Sequence, residues 1–547
     1  GQHLRYAKED HGGAVRAFQE AIRLDPTDAP SWTGLAESLA LSAHMSLIPA
    51  DEACARAREA LSTAEDLQGL HEVGPVMAES VAGFFRQPAV RSLIAKFREL
   101  GVDPGRARSA IVERPMGMGH LRDRGPGRGP DLAQPRRPTV RDHAGSRNGR
   151  REAHMSPPSY DIVVVGAGIN GAGVAQAAAA AGHRVMVLEK SAIASGTSSR
   201  SSKLIHGGLR YLESWEFGLV RESLAERRLL LELAPELVRL QNFYIPVYPT
   251  TRRPAWIIRT GLLLYALLGG PGRDTRFRTL PKNQWPMLIG LEKEGLGTVF
   301  EFQDAQTDDA LLTKAVMQSA TRLGAETKIP AEMVHARLNP HGVDIEYDSG
   351  GRRLHCRAHV LVNAAGPWAP VILERVQPAI EAPPVELIQG THIELPRTLT
   401  EGVYYVESPR DGRAVFVMPR GGKTLVGTTE TRFDGNPDEV RRLESEVRYL
   451  LNVFNHYFPG HYCARGDVVS AFAGLRVLPS GSGHAFHRSR EVVLATDRRD
   501  RPRVLSVLGG KLTTWRPTAA KVLRQISSSL PRATPRAETR RLRLQPE

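Results

Sequence analysis

The stretch Tyr160-Asp161-Ile162-Val163-Val164-Val165-Gly166-Ala167-Gly168-Ile169-Asn170-Gly171 decides the fold. An alanine-rich segment follows to Ala181, then Gly182, then Arg184-Val185-Met186-Val187-Leu188-Glu189. Four β-branched residues in succession specify a buried strand, and the glycines specify a tight turn. The alanines specify a helix small enough to lie close against a sheet. Gly182 stands where such a helix closes in a left-handed turn, and the second apolar run returns as a parallel strand ending in a carboxylate. Strand, GxGxxG turn, helix, strand and acid are the parts of a dinucleotide site. Gly166, Gly168 and Gly171 turn the chain, admit a pyrophosphate and allow close packing. Asn170 lies in the first helical turn, where free N–H groups favour phosphate. Glu189 is placed to accept hydrogen bonds from a ribose. The fingerprint does not by itself separate FAD from NAD.

The chain has 547 residues, of which 41% are hydrophobic, enough for large cores and more than one domain. Cys54, Cys356 and Cys463 are isolated, so neither a disulfide framework nor a cysteine zinc site is expected, and a reducing compartment fits. No metal site is expected. No apolar signal segment opens the chain. The net charge of +14 is uneven: residues 103–154 carry twelve Arg against six acids. A basic total suits anionic lipid or phosphorylated substrates, and it permits nucleic acid without requiring it.

Upstream, residues 1–62 read as helical. Ala14, Phe18, Ala21 and Pro26 fall at tetratricopeptide-like offsets, and a plain helical hairpin is the simpler alternative. Residues 63–102, with Val73-Gly74-Pro75, resemble the helix-hairpin-helix region of bacterial NAD-dependent DNA ligases. No KxDG motif or four-cysteine zinc cluster accompanies it, and nucleic acid is not an expected partner. Residues 103–158 are Arg, Gly and Pro-rich, the composition of a disordered linker. Met155 reads as a natural translation start.

After Glu189 comes Ser195-Gly196-Thr197-Ser198-Ser199-Arg200-Ser201-Ser202-Lys203-Leu204-Ile205-His206-Gly207-Gly208-Leu209-Arg210-Tyr211-Leu212-Glu213. Its hydroxyls and glycines suit a loop running beside a bound cofactor. Further phrases follow in order: RPAWIIRTGLLLY at 253–265, FEFQDAQTDDALL at 300–312, VNAAGPWA at 362–369 and QGTHIELPR at 389–397. FVMPR and LVGTTET then occupy 416–420 and 425–431, AGLRVLP 473–479 and LGGKLTTWR 508–516. Together they resemble the FAD-dependent (aerobic, respiratory) glycerol-3-phosphate dehydrogenases of the D-amino-acid-oxidase-like flavoprotein superfamily, from about Tyr160 to Leu523.

The resemblance implies an α/β fold: an FAD-binding doubly wound, Rossmann-like sheet with an interleaved mixed-sheet α+β cap, preceded by an all-α segment. The oxidoreductase domain would span 159–523. Its FAD-binding parts are expected at 159–229, 301–388 and 456–523, and its cap parts at 230–300 and 389–455. A polar, frayed tail is expected at 524–547. FAD contacts are expected from Thr197, Ser198, Ser202, Lys203, Leu204, His206 and Gly366, besides the fingerprint residues. Gly510, Lys511, Leu512 and Thr513 would meet the flavin at a second helix N-terminus, where fixed dipoles stabilise charge on the reduced ring. No second dinucleotide fingerprint is present, so electrons should enter from the substrate.

Oxidation of glycerol 3-phosphate needs fixed cations for the phosphate, C2–H facing the flavin, and an acceptor for the hydroxyl proton. Arg476 and Arg210 are the expected phosphate clamps, with Arg488 a third, because a guanidinium fork matches phosphate oxygens. His392 is the expected base, since imidazole changes charge near operating pH; His206 is the alternative. Lys511 would polarise the developing carbonyl and Tyr211 would orient substrate. A quinone acceptor and a peripheral position on the inner face of the cell membrane go with this family, and a homo-oligomer is compatible with it. The apolar segment Arg253–Gly270, with Trp256 and Tyr265, is too short to span a bilayer. It reads either as a helix lying in the interface or as one packed on the cap. Val477, Glu430 and Trp515 depart from the family pattern, and the residues after GGKLTTW are fewer than a helical C-terminal cap would need. The rival readings are an FAD enzyme acting on another 2-hydroxy acid or amine, and a non-catalytic adaptor using the N-terminal helices.

Overall fold

The computed structural model describes residues 157–546, apart from 215, 271, 382, 398, 400 and 481–491. The tetratricopeptide-like, helix-hairpin-helix-like and most of the linker expectations lie outside the described residues, as does Arg488. The longer helices are α1 (Ile169–Ala180), α2 (Phe217–Leu233), α3 (Ala255–Gly269), α4 (Asp309–Arg322), α5 (Glu444–Tyr457) and α6 (Trp515–Ile526).

The opening fingerprint forms as read. Strand Ser159–Val165 pairs in parallel with Val185–Leu188 on one side and with Arg352–Asn363 on the other, and Glu326–Lys328 and Val504–Leu508 extend the parallel set. Ile162 and Val164 face a core shared with α1, α4 and α6. Val163 and Val165 face the opposite side, where the antiparallel strands Glu332–Asn339 and Gly342–Ser349 supply Met333, Val343 and Ile345. A meander, rather than further long helices, thus covers the second face. Nearly every residue of α1 is buried, and its small side chains let neighbours approach. A Cβ on Gly173 would come within 2.6 Å of the Trp515 ring, so this glycine makes room for α6. Gly182 closes α1 at φ +96°, with its N–H 3.0 Å from the Ala179 carbonyl.

The second sheet runs, in spatial order, through strands Thr431–Phe433, Val385–Leu395, Lys423–Gly427, Ala414–Arg420, Val403–Glu407, Val238–Val247, Thr298–Thr307 and Leu204–Ile205. It is antiparallel except where Val403–Glu407 meets Val238–Val247. Ser470–Pro479 pairs with Val385–Leu395 along nearly its whole length. α5 packs on one face through Val447, Leu450 and Phe454; α2 and α3 pack on the other through Leu224, Ile258, Leu262 and Tyr265.

Two expectations are corrected. The strands Thr298–Thr307 and Ser470–Pro479 lie in the second sheet, although residues 301–388 and 456–523 were expected on the FAD-binding side. The reason is register: both find their hydrogen-bond partners in cap strands, and short phrases do not reveal pairing. The tail is not frayed. Arg536 N–H donates to the Ala180 carbonyl at 2.7 Å, Leu544 N–H donates to the Leu233 carbonyl at 2.8 Å, and Leu544 is 3% exposed in the core. A Cβ on Gly182 would strike the Thr534 carbonyl at 2.2 Å, so the tail backbone lies directly against the helix end.

Candidate active site

A cavity of about 1040 Å³ opens where the parallel strands of the first sheet end. Val165, Leu188, Ala364 and Gly509, each at or just past a strand's carboxyl end, line it, the usual ligand position in an open α/β sheet. Gly166, Gly168, Asn170, Glu189 and Gly366 line this wall. Gly166 is at φ +99°, and a Cβ there would lie 2.8 Å from the Ala364 carbonyl. Gly171 does not reach the cavity. Its Cβ would sit 1.9 Å from the Gly166 carbonyl, so its role is to seat α1 beneath the turn. Glu189 already accepts from Ala167 N–H at 2.8 Å on Oε2 and from Ser191 N–H at 2.8 Å on Oε1. Oε1 also accepts from Ser191 Oγ at 3.2 Å, so the further lone pair is on Oε2.

The hydroxyl-rich loop threads between the walls. Thr197, Ser198, Ser202, Leu204 and His206 line the cavity. Ser198 Oγ accepts from Ile169 N–H at 2.9 Å at the start of α1, and Thr197 Oγ1 donates to the Leu475 carbonyl at 2.7 Å. Lys203 does not line the cavity. Its ammonium is buried against Asp309 and donates to the Ser199 carbonyl at 2.5 Å. Asp309 Oδ2 also accepts from Ser201 N–H at 2.9 Å, so this pair ties the loop to α4.

Gly510, Lys511, Leu512 and Thr513 line the cavity as a loop. α6 begins only at Trp515, so they precede the helix rather than form its first turn. Gly509 and Gly510, at φ +81° and +95°, bend this loop back to the fingerprint. There Asn170 Nδ2 donates to the Gly509 carbonyl at 3.1 Å. Thr513 Oγ1 lies 3.3 Å from both the N–H and the carbonyl of His206, joining the two loops that line the cavity.

Arg210, Tyr211, His392 and Arg476 converge on the same cavity. Lys511 Nζ stands 3.7 Å from the centre of the Tyr211 ring, and the Arg210 guanidinium stands 5.9 Å from it. His392 Nε2 lies 2.9 Å from Ser202 Oγ, and its ring stacks on Phe472 at 5.1 Å. Burial, reinforced by Arg476, Lys203 and Arg420, lowers its pKa to about 3. Burial lowers His206 to about 4, with Asp304 opposing and Lys511, Arg210 and Arg227 assisting. Both imidazoles are neutral at neutral pH, which differs from the titrating group that a histidine suggests in the sequence. Arg476 Nη2 donates to the Thr429 carbonyl at 2.7 Å and Nη1 lies 3.5 Å from Glu430, which also pairs with Arg413 at 3.1 Å. The departure at Glu430 thus sits directly behind a cation of the site.

Arg200, Asp304, Phe416 and Tyr405 also line the cavity. None was nominated from the sequence. Arg200 stood within the quoted hydroxyl-rich phrase and was readable there. Asp304 and Phe416 stand within quoted phrases as well, but on interior strands where nothing local marks a cavity residue, and Tyr405 stands in none.

The cavity fits a dinucleotide bearing a redox ring. Its first wall is a glycine turn in which a Cβ at Gly166 would meet backbone at 2.8 Å, and Asn170 Oδ1 and Trp368 Nε1 are buried without a partner among the described residues. FAD would be held along the fingerprint turn, the hydroxyl-rich loop and Gly509–Thr513, and when bound it supplies the two-electron acceptor. A dinucleotide cleft opening onto a chamber of arginine, lysine and histidine is the arrangement of a redox enzyme. Residues 161–516 match the model of the FAD dependent oxidoreductase family, and the chain belongs to that family. It is 40% identical over 375 residues to the glycerol-3-phosphate dehydrogenase of Pseudomonas aeruginosa, covering 67% of this chain and 71% of that protein. It is 37% identical over 383 residues to the D-erythritol 1-phosphate dehydrogenase of Brucella abortus, covering 69% and 75%. Among solved structures, the glycerol-3-phosphate dehydrogenase of Bacillus halodurans complexed with FAD superposes with a TM-score of 0.56 at 26% identity, covering 71% of this chain and 68% of that one.

Proposed function

We propose that the protein oxidises sn-glycerol 3-phosphate at C2 to dihydroxyacetone phosphate and passes the electrons to membrane quinone. The observation that carries this reading is the convergence of Arg210, Arg476 and Lys511 on a cavity that also presents a dinucleotide turn. A phosphate dianion is the substrate group that this charge suits, which disfavours amines and neutral alcohols. Arg476 and Arg210 clamp the phosphate, and Tyr211 and Lys511 orient the carbon chain and stabilise the growing carbonyl oxygen. As C2 gives up its hydride, the hydroxyl proton passes to the unprotonated imidazole of His392. A phosphate beside Arg476 neutralises one of the cations that lower His392, so substrate binding strengthens this base.

The similarity to the Brucella D-erythritol 1-phosphate dehydrogenase supports a second reading in which the substrate is a longer polyol phosphate. Anaerobic titration of the full-length holoprotein while following flavin absorbance tests both. Bleaching by glycerol 3-phosphate is expected. Bleaching by erythritol 1-phosphate alone selects the second reading, and bleaching by neither removes both.

Among the described residues no helix is long and apolar enough to cross a membrane. α3 has two faces. Ile258, Leu262 and Tyr265 are buried, whereas Trp256, Ile257 and Leu263 are 48%, 41% and 40% exposed. The two readings of this segment therefore apply to opposite faces. We infer that the outer face lies in the interface of the inner cell-membrane leaflet, where quinone is reached.

A further inference from the structure

One carboxylate on the second sheet has more partners than its local position requires. Glu446 is the third residue of α5 and is 5% exposed. A glutamate there ordinarily turns back to the N-cap N–H, and Glu446 Oε2 does lie 3.4 Å from Leu443 N. Its stronger bonds run inward. Oε2 accepts from Gln389 Nε2 at 2.7 Å and from Thr391 Oγ1 at 2.5 Å. Oε1 accepts from Thr429 Oγ1 at 2.8 Å and from Thr431 Oγ1 at 2.7 Å. Burial pushes its pKa up, but these four hydrogen bonds outweigh it and leave the group lowered, so it is a carboxylate at neutral pH.

The partners belong to two pieces of chain that wall the cavity. Gln389 and Thr391 flank Gly390, with His392 next along the strand. Thr429 and Thr431 lie just beyond strand Lys423–Gly427. Thr429 is the junction: its Oγ1 accepts from Thr391 N–H at 2.8 Å, and its carbonyl accepts from Arg476 Nη2 at 2.7 Å. A Cβ on Gly390 would lie 2.5 Å from Thr428 Oγ1 and 2.9 Å from Arg476 Nη2, so the guanidinium fills the space that this glycine leaves.

We propose that Glu446 is a positioning residue for the phosphate end of the substrate site. It holds Thr429 against Thr391, and so aims the carbonyl that fixes the Arg476 guanidinium beside Gly390. This rests on the reading of Arg476 as a phosphate clamp. Glu446→Gln keeps the size of the side chain and an oxygen for Leu443 N–H, but it places a donor amide among hydroxyl donors. In the full-length holoenzyme, the dissociation constant of dihydroxyacetone phosphate is measured by calorimetry on the oxidised protein, beside KM and kcat for glycerol 3-phosphate. A clamp that binds ground and transition states alike predicts a rise of about tenfold in Kd and KM, with kcat within about threefold. Flavin content should not change. Thr429→Val, which removes the hydroxyl and keeps both volume and carbonyl, should act in the same direction and decides the matter if Glu446→Gln does not fold. Wild-type Kd and KM in both variants, with only a lowered Tm, would make the carboxylate structural and overturn the proposal alone. A wild-type holoenzyme that binds neither compound overturns the phosphate reading, and this proposal with it.

Discussion

The two walls of the cavity are built from different material. The first is backbone: Gly166, Gly168 and Gly510 face it, and neighbouring atoms leave little or no room for a Cβ at Gly166 or Gly171. The second is long side chains, Arg210, Tyr211, His392, Arg476 and Lys511, delivered by segments far apart in the chain. A backbone wall recognises a cofactor through its shape and its N–H groups, and it is encoded within one short stretch. A side-chain wall, which on the proposed function recognises substrate through charge, is encoded nowhere locally. Damage to the first should remove the cofactor, whereas damage to the second should remove the substrate and spare the cofactor.

The strongest way to break this contrast is at Gly171. Gly171→Val would place a branched side chain against the Gly166 carbonyl, which already lies 1.9 Å from an ideal Cβ. Overpacking of this kind costs about 1–3 kcal/mol or more, and the flavin-to-protein ratio of the purified protein should fall at least about tenfold. A variant that retains a full complement of flavin would refute the backbone reading. The next largest effect is expected across the cavity. Arg476→Ala should lower kcat/KM for the phosphorylated substrate about a hundredfold, the worth of a charge-assisted clamp, while flavin content stays at the wild-type level. Equal loss of flavin and substrate response would erase the difference between the walls.

The same difference explains what the sequence revealed. The strand from Tyr160 to Val165, the turn, α1 and Gly182 are consecutive, so the β-branched run, helix propensity and glycine position all point to one answer, and the structure agrees. Arg476 and Lys511 were nominated only because ordered phrases resemble a family, since no spacing connects them. Asp304, Phe416 and Tyr405 escaped notice because an interior strand residue carries the same local pattern whether it lines a cavity or a core. The pairing of Ser470–Pro479 with Val385–Leu395 is non-local in the same sense. The polar composition of the tail hides its order, because only scattered residues such as Ile526 and Leu544 anchor it in the core.

A third, smaller effect sharpens the contrast through pH. Burial lowers His206 to about 4 and His392 to about 3, against an ordinary 6.5 in the unfolded chain. As pH falls through 6.5 the unfolded chain takes up protons that the folded protein refuses, so stability is present above 6.5 and declines toward pH 4. Below the folded values the decline from these groups ends. The unfolding midpoint should therefore drop over that window, and His392→Gln should drop less than wild type over the same range. Parallel curves for the two proteins would mean that His392 is not held neutral by its burial beside the cationic wall. Shared carboxylate titration cancels in the difference.

The smallest effect on the folded protein should come from the outer face of α3, which belongs to neither wall. Trp256→Ser combined with Ile257→Ser replaces exposed apolar groups, and surface changes of this kind usually shift stability by no more than about 0.5 kcal/mol each. The buried face of the same helix stays intact. Tyr265 donates to Asp304 Oδ2 at 2.6 Å and accepts from Gly207 N–H at 2.8 Å, beside His206. Flavin reduction by substrate in solution should therefore remain within about twofold of wild type, because the groups that hold Gly207 are unchanged. Co-sedimentation with anionic vesicles should weaken at least about tenfold, since interfacial binding scales with buried apolar area. Retained vesicle binding would remove α3 as the membrane contact. A matching loss of flavin reduction would show that the outer face is needed for the chemistry of the cavity.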